Sequence, residues 1–115
     1  NGVVGPKATL HEAIVEMSRK QSEMVCIAAE DGKLAGIITD GDLRRALSRR
    51  ADIYGMTVKE IMTVNPFAID STAMAVQALQ RMKENRISCL PVVDTEGRIC
   101  GSIAMTQLVH AGLVL

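Results

Sequence analysis

Apolar residues recur at helical spacing in two separate segments of the chain. The first segment carries them at positions i, i+3, i+4 and i+7, namely Leu10, Ala13, Ile14 and Met17. The second segment repeats this spacing with Ala75, Ala78, Leu79 and Met82. Since this spacing gathers the four side chains on one face of an α-helix, we predict two amphipathic helices. Thr9 or a neighbour is expected to cap the first helix, and Ser71 or Thr72 the second.

Shorter apolar runs around these helices indicate strands. After the first helix, apolar runs at 24–28 and 34–39 flank the turn signal Asp31-Gly32. After the second helix, apolar runs at 89–93 and 99–104 flank the turn signal Glu96-Gly97. A glycine-containing turn between two apolar runs is typical of a β-hairpin. A second helix is predicted to begin near Asp40 in the first half and near Met105 in the second. A short strand is predicted before each first helix, at 3–4 and at 67–69.

The two halves are copies of one unit. At an offset of 65 positions the chain matches itself without a gap, with identities that include Ala13 and Ala78, Gly36 and Gly101, and Leu43 and Leu108. Each copy alone, at roughly 50 residues, would be marginally stable, so the copies are expected to fold as one body about a pseudo-twofold axis with a ligand cleft between them.

We predict a mixed α/β (α+β) fold of two β-α-β-β-α units. The first unit spans 1–50 with a truncated first strand, the linker spans 51–66 and the second unit spans 67–115.

Composition narrows the classes of function. The chain of 115 residues is 48% hydrophobic with a formal net charge of zero, which argues against disorder and against nucleic-acid binding. Tyr54 and Phe67 are its only aromatic residues, so stacking platforms for bases are scarce. No apolar run approaches a membrane span and no signal-peptide pattern opens the chain, so we expect a cytoplasmic protein without a membrane partner. The cysteines have no metal-ligand spacing, and we expect free thiols and no metal site.

The junction between the second strand and the second helix of the first unit carries candidate binding groups. Gly36 allows close backbone approach, and the helix start offers unpaired N–H groups to an anion. Thr39 supplies a hydroxyl, and the Asp42 carboxylate can accept hydrogen bonds from both hydroxyls of a vicinal diol. Arg44 and Arg45 follow directly, and either can meet a phosphate as a planar fork.

The same residues also fit a purely structural interpretation. Thr39 and Asp42 have the spacing of a capping box, and the two arginines can form a solvated helix face. The residues alone leave both interpretations open. In the second unit Ala104 and Gln107 occupy the positions of Thr39 and Asp42, so we predict one ligand per chain and a weak or vacant second site.

Several motifs together resemble the CBS domain pair, often called a Bateman module. They are VKEIMT at 58–63, LPVVD at 90–94, Gly97 in the hairpin, and GIITDGDL at 36–43. The stretch TDGDLRR at 39–45 further resembles the CBS region of sugar-phosphate isomerases of the arabinose-5-phosphate isomerase type. In that family an N-terminal sugar-isomerase domain precedes the CBS pair and carries the catalytic residues. The resemblance therefore implies a regulatory chain that is not itself an enzyme.

The resemblance also implies a ligand. In CBS proteins the residues matching Thr39 and Asp42 hold the ribose of adenosine-type ligands. We expect aliphatic residues such as Ile37 and Val92 to sandwich the base. The linker residues Thr63, Asn65 and Pro66 are expected to line the cleft from the side of the other copy. An AMP- or ATP-like nucleotide and a CMP-sugar, the activated octulosonate of lipopolysaccharide or capsule synthesis, both remain open as regulatory ligands, and no cofactor is expected to be required.

Two functions follow as hypotheses. The first is a sensor of a nucleotide or nucleotide-sugar that controls an attached isomerase domain by biasing the packing of the two copies. The second is a scaffold without a ligand that dimerises or tetramerises that isomerase, since CBS pairs commonly form homodimers through their helices.

Overall fold

The computed structural model describes residues 2–49 and 54–112. The first half contains strand β1 (Val3–Val4), helix α1 (Leu10–Lys20), strands β2 (Met24–Ala28) and β3 (Leu34–Thr39), and helix α2 (Asp40–Arg49). A connecting segment adds helix α3 (Val58–Ile61) and strand β4 (Thr63–Val64). The second half contains β5 (Ile69–Asp70), α4 (Ala75–Asn85), β6 (Cys89–Val93), β7 (Ile99–Ala104) and α5 (Met105–His110). The predicted β-α-β-β-α order is confirmed in both halves, whereas the predicted boundary at residues 50 and 51 lies outside the described residues.

The strands form one small sheet in each half. The first sheet has the order β1-β2-β3-β4 and the second has the order β5-β6-β7. In each sheet the first strand runs parallel to the second, and the hairpin pairs the second and third strands antiparallel. Gly32 and Gly97 take φ values of 85° and 81° in the hairpin turns, a conformation that glycine adopts without a steric cost.

The apolar faces that the sequence predicted form the two cores. Leu10, Ala13 and Met17 of α1 are buried, as are Ala78, Leu79 and Met82 of α4. In the first half, Ala13 and Met17 pack against Val25, Ile27 and Ile38 of β2 and β3, while Leu10 packs with Ala46 and Met56 in a separate cluster. In the second half, the three residues of α4 pack against Leu90 and Leu108. Burying a Leu, Ile, Val or Met side chain contributes about 1.5–3 kcal/mol relative to exposure. The repeat therefore reproduces one packing scheme twice.

Contacts between equivalent residues define the pseudo-twofold axis. Lys33 and Arg98 are 65 positions apart and form an antiparallel bridge. The Leu34 N–H donates to the Gly97 carbonyl at 3.0 Å, and its counterpart, the Ile99 N–H, donates to the Gly32 carbonyl at 3.2 Å. A residue that contacts the equivalent residue of the other copy must lie beside the axis that relates the two copies. The expectation that both halves form one body is therefore confirmed.

Two local predictions were wrong. The strand expected at 67–69 is β5 at Ile69–Asp70, because only from Ile69 onward does the chain pair with β6. The cap of α4 is Met74, not Ser71 or Thr72. The Asp70 carboxylate accepts hydrogen bonds from the Thr72 N–H and hydroxyl at 2.9 and 2.7 Å. This turn ties Thr72 to the preceding strand, so the helix begins later in the chain.

Strand β4 is the main feature of the connecting segment that the sequence did not predict. It pairs with β3 in an antiparallel register that places Val64 beside Gly36 and Thr63 beside Ile37. Gly36 makes this pairing close, since a Cβ atom built on it would lie 2.8 Å from both the Met62 sulfur and the Thr63 carbonyl oxygen. The expectation that Gly36 serves a close backbone approach is confirmed, and the approaching backbone is that of the linker.

We expect Gly36→Ala to lower the free energy of unfolding by about 1–3 kcal/mol, because the added methyl forces β4 away from β3. Urea denaturation measures the change. Gly5→Ala is the matched control, since a Cβ there meets nothing within 4 Å, and it should change stability by less than about 0.5 kcal/mol. Equal effects of the two substitutions would contradict the close packing of β4.

Candidate functional site

Thr39 and Asp42 form the corner at which β3 passes into α2. The Asp42 Oδ2 atom accepts hydrogen bonds from the Thr39 N–H at 3.0 Å and from the Thr39 hydroxyl at 3.1 Å. The Asp42 N–H donates to the Thr39 Oγ1 at 3.3 Å. This reciprocal pattern is a capping box, in which each side chain satisfies a backbone donor of the other residue. The pair therefore caps α2, as the structural interpretation predicted.

The same corner opens into a large cavity. Its volume is about 740 Å³, within the range of small-molecule sites. The lining includes all eight side chains that the sequence singled out as ligand-binding, namely Ile37, Thr39, Asp42, Arg44, Arg45, Thr63, Asn65 and Pro66. The opposite wall comes from the second half of the chain, through Met82, Lys83, Arg86, Ile87, Ser88, Cys89 and Met105. The cavity thus lies between the two copies, while the binding role of the eight residues stays a prediction.

The linker residues reach this cavity from a different side than expected. The sequence placed Thr63, Asn65 and Pro66 on the side of the second copy. Strand β4 instead belongs to the sheet of the first copy, where Thr63 pairs with Ile37. The Thr63 hydroxyl also donates to Asp42 Oδ2 at 3.4 Å. The linker therefore closes the cavity beside the capping corner.

Positive charge enters the cavity from both copies. Arg44 and Arg45 project from α2, and Lys83 and Arg86 come from the C-terminal end of α4. Within the described residues, the side chains of Arg44, Lys83 and Arg86 form no ion pair with a carboxylate. The wall also contains the carboxylates of Glu23, Asp40 and Asp42. An anionic group would find cationic side chains on two sides.

Sequence reasoning missed the lining residues of the second half, among them Phe67, Lys83 and Arg86. Lys83 and Arg86 occupy the positions of the uncharged Ser18 and Gln21 in the repeat. That difference between the copies was the available signal. Phe67 also lines the cavity with 51% of its surface exposed, whereas Val92 is not part of the wall. An aromatic face is therefore available to a base where only aliphatic contacts were expected.

The second unit has a much smaller counterpart of this cavity. It measures about 160 Å³ and is lined by the residues that the repeat places opposite the first site, among them Gln21, Ser102, Ala104 and Gln107. The Gln107 side-chain oxygen accepts a hydrogen bond from the Ala104 N–H at 2.8 Å, so the cap persists without a carboxylate. Glu23 and Cys89 line both cavities.

All three non-glycine residues with positive φ in the described part of the chain line one of these cavities. Asn65 and Arg86, with φ of 49° and 56°, line the larger one, and Gln21, with φ of 50°, lines the smaller. Gln21 and Arg86 are the C-caps of α1 and α4, where the left-handed conformation lets the N–H groups donate to carbonyls of the last turn. The helix ends therefore account for two of the three values, and asparagine tolerates the conformation at the third.

The thiols beside the axis are held in their neutral form. Burial, with a smaller contribution from the Glu23 carboxylate, raises the pKa of Cys89 from its ordinary value of 9.0 to about 11. Burial, followed by the neighbouring Cys89, raises the pKa of Cys26 to about 11 as well. Cys89 therefore presents an uncharged thiol to both cavities at neutral pH.

We expect the free energy of unfolding to be insensitive to these thiols below about pH 9 and to fall between about pH 9 and 11. In that window the unfolded chain releases thiol protons that the folded chain retains, so rising pH favours unfolding. Urea denaturation at a series of pH values measures the slope. Cys89→Ala should make the slope shallower, and Cys100→Ala, at an exposed position of β7, should not. An unchanged slope in Cys89→Ala would contradict the burial of this thiol.

Known proteins share this fold and parts of this sequence. The sequence profile of the CBS domain family matches it twice, over residues 3–49 and 58–113. The chain belongs to the CBS domain family. The resemblance inferred from the motifs is thereby confirmed.

A crystal structure of the CBS domain pair of protein MJ0100, in complex with 5′-methylthioadenosine and S-adenosyl-L-methionine, superposes with a TM-score of 0.84. It is 26% identical and covers 96% of this chain and 89% of that one.

Curated relatives of this CBS pair are arabinose 5-phosphate isomerases. KdsD of Pseudomonas aeruginosa is 42% identical over 106 residues, which are 92% of this chain and 32% of that protein. KdsD of Francisella tularensis is 36% identical over 111 residues, which are 96% of this chain and 34% of that protein. The chain thus spans about a third of the length of these relatives.

The described residues contain no group of three or more His, Cys, Asp or Glu side chains arranged to hold a metal ion. None of the helices described is both long enough and apolar enough to cross a membrane.

Proposed function

We propose that this CBS pair is a sensor that binds one nucleotide-type ligand per chain in the large cavity and thereby regulates an attached sugar-phosphate isomerase. The observation that carries the proposal is the convergence of the capping corner, the linker strand and four cationic side chains on one cavity. The CBS pair of MJ0100 holds adenosine-type ligands in a closely similar fold. The link to an isomerase rests on the similarity to KdsD.

The chemistry of the cavity matches the parts of a nucleotide. The Asp42 carboxylate can accept the hydroxyl groups of a ribose, and the Thr39 and Thr63 hydroxyls lie beside it. Arg44, Lys83 and Arg86 can donate to a phosphate from two sides. The base would contact Ile37 on one face and the ring of Phe67 on another.

The difference between the two cavities supports a stoichiometry of one. The smaller cavity offers about 160 Å³ and replaces the threonine and aspartate by Ala104 and Gln107. The Gln107 amide carries no charge and its oxygen already accepts from the Ala104 N–H, so its hydrogen bonds to ribose hydroxyls would be weaker than those of a carboxylate.

We expect Asp42→Ala to weaken AMP or CMP, used as probes, by about 10- to 150-fold, the equivalent of about 1.5–3 kcal/mol for hydrogen bonds to a charged group. Titration calorimetry measures affinity and stoichiometry. The substitution also removes a helix cap, so stability should fall by about 1 kcal/mol.

Glu12→Ala is the matched control for this loss of capping. Glu12 and Thr9 form a capping box of the same pattern on α1, at 3.1–3.2 Å, and neither residue lines the cavity. Glu12→Ala should lower stability and leave affinity unchanged. Two equal sites per chain, or an Asp42→Ala variant that loses stability but keeps its affinity, would refute the proposed site.

A scaffold without a ligand is the second candidate, and exposed apolar side chains favour it. Each of the four long helices carries one: Val15 on α1, Leu47 on α2, Val76 on α4 and Val109 on α5. If these faces bury one another in a dimer, Val76→Glu should shift a dimer toward monomer in sedimentation equilibrium, because it places a charge in the contact. Arg81→Gln, on a different exposed face of α4, changes the net charge by the same unit and is the control. A dimer unaffected by Val76→Glu would exclude this face from the assembly.

A further inference from the structure

The Asp42 carboxylate has little capacity left for a ligand. Its Oδ2 atom accepts from the N–H and hydroxyl of Thr39 and from the hydroxyl of Thr63, at 3.0–3.4 Å. Its Oδ1 atom accepts from the Arg45 Nη2 at 2.6 Å. A carboxylate oxygen has about two acceptor positions, so Oδ2, with three donors, is full, and a ligand hydroxyl can approach only Oδ1. There it competes with the guanidinium of Arg45 for the same oxygen.

Arg45 is the partner that can leave. Its side chain is 64% exposed, whereas that of Asp42 is 10% exposed. The position of Thr39 is fixed because its backbone N–H is one of the donors. The position of Thr63 is fixed by the pairing of β4 with β3. A salt bridge between residues three positions apart on a helix, with one partner exposed to solvent, contributes little free energy. It is therefore easier to break than the contacts that involve the backbone. A ligand hydroxyl would thus take the place of the guanidinium on Oδ1.

The position of the guanidinium is itself unusual. It lies over Gly41 in the first turn of α2, where a Cβ atom built on the glycine would be 3.3 Å from the Arg45 Nη1. The N-terminal turn of a helix carries partial positive charge, which repels a cation and attracts an anion. The arginine therefore sits at the end of the helix that suits an anion, and Asp42 holds it there.

We propose that Arg45 is a specificity-determining residue that makes the cavity select phosphorylated nucleosides over unphosphorylated ones. This inference rests on the proposed nucleotide-binding function and goes beyond it. A nucleoside that displaces Arg45 from Asp42 leaves the guanidinium without a counter-charge. A nucleotide brings a phosphate that the released guanidinium can bind as a planar fork, next to the N-terminus of α2. The salt bridge thus penalises only the ligand that lacks the anion.

Arg45→Ala tests this exchange with AMP and adenosine as probes. Titration calorimetry of the full 115-residue chain should show adenosine binding about 10-fold more tightly to the variant than to the unaltered protein, because Oδ1 is free. AMP should bind the variant no more tightly, because the phosphate loses its arginine. The ratio of the two affinities should therefore fall by about 10-fold or more. Arg49→Ala, one turn further along α2 and outside the cavity, should leave both affinities unchanged.

The possible results separate the two proposals. If the unaltered protein binds AMP and Arg45→Ala weakens both probes equally, or changes neither, the selective role of Arg45 is overturned while the nucleotide site stands. If adenosine binds only to Arg45→Ala, the displaced salt bridge is supported. If neither probe binds either protein, both proposals fail. Cytidine and CMP, run in the same way, show whether the effect follows the phosphate and not the base.

Discussion

The Asp42 carboxylate joins three parts of the first half: the end of β3, the linker strand β4 and helix α2. It caps α2 through Thr39, holds β4 through the Thr63 hydroxyl, and binds the guanidinium of Arg45. Because its side chain is only 10% exposed, removal of the Arg45 guanidinium without a substitute would leave Oδ1 poorly satisfied at the edge of the cavity. The local stability of the corner and the chemistry of the cavity are therefore properties of one group.

The comparison with α1 shows what the surroundings add to a common motif. Thr9 and Glu12 make the same reciprocal hydrogen bonds as Thr39 and Asp42. Glu12 is exposed and faces no cavity, so its role ends with the helix. At the corner of Thr39 and Asp42, the same arrangement of oxygens is enclosed by the first sheet, the linker and the second copy. A capping box becomes a candidate binding group through what surrounds it.

The fold was largely predictable from sequence because it rests on periodicity. The apolar faces of α1 and α4 and both hairpins follow from spacing and turn residues, and the repeat supplied the pseudo-twofold axis. Strand β4 was not predictable in this way, since a two-residue strand has no period and its pairing depends on the missing side chain at Gly36. The eight candidate residues do line one cavity. Lys83, Arg86 and Phe67 were missed because their place in it depends on how the two sheets pack, which no local pattern encodes.

The two cavities have a common wall. Glu23 and Cys89 belong to both linings, and the Ser88 hydroxyl donates to Glu23 across the axis at 3.3 Å. A displacement of Glu23 or Cys89 would therefore change the shape of both cavities at once. The repeat has produced two cavities that share a boundary at the pseudo-twofold axis.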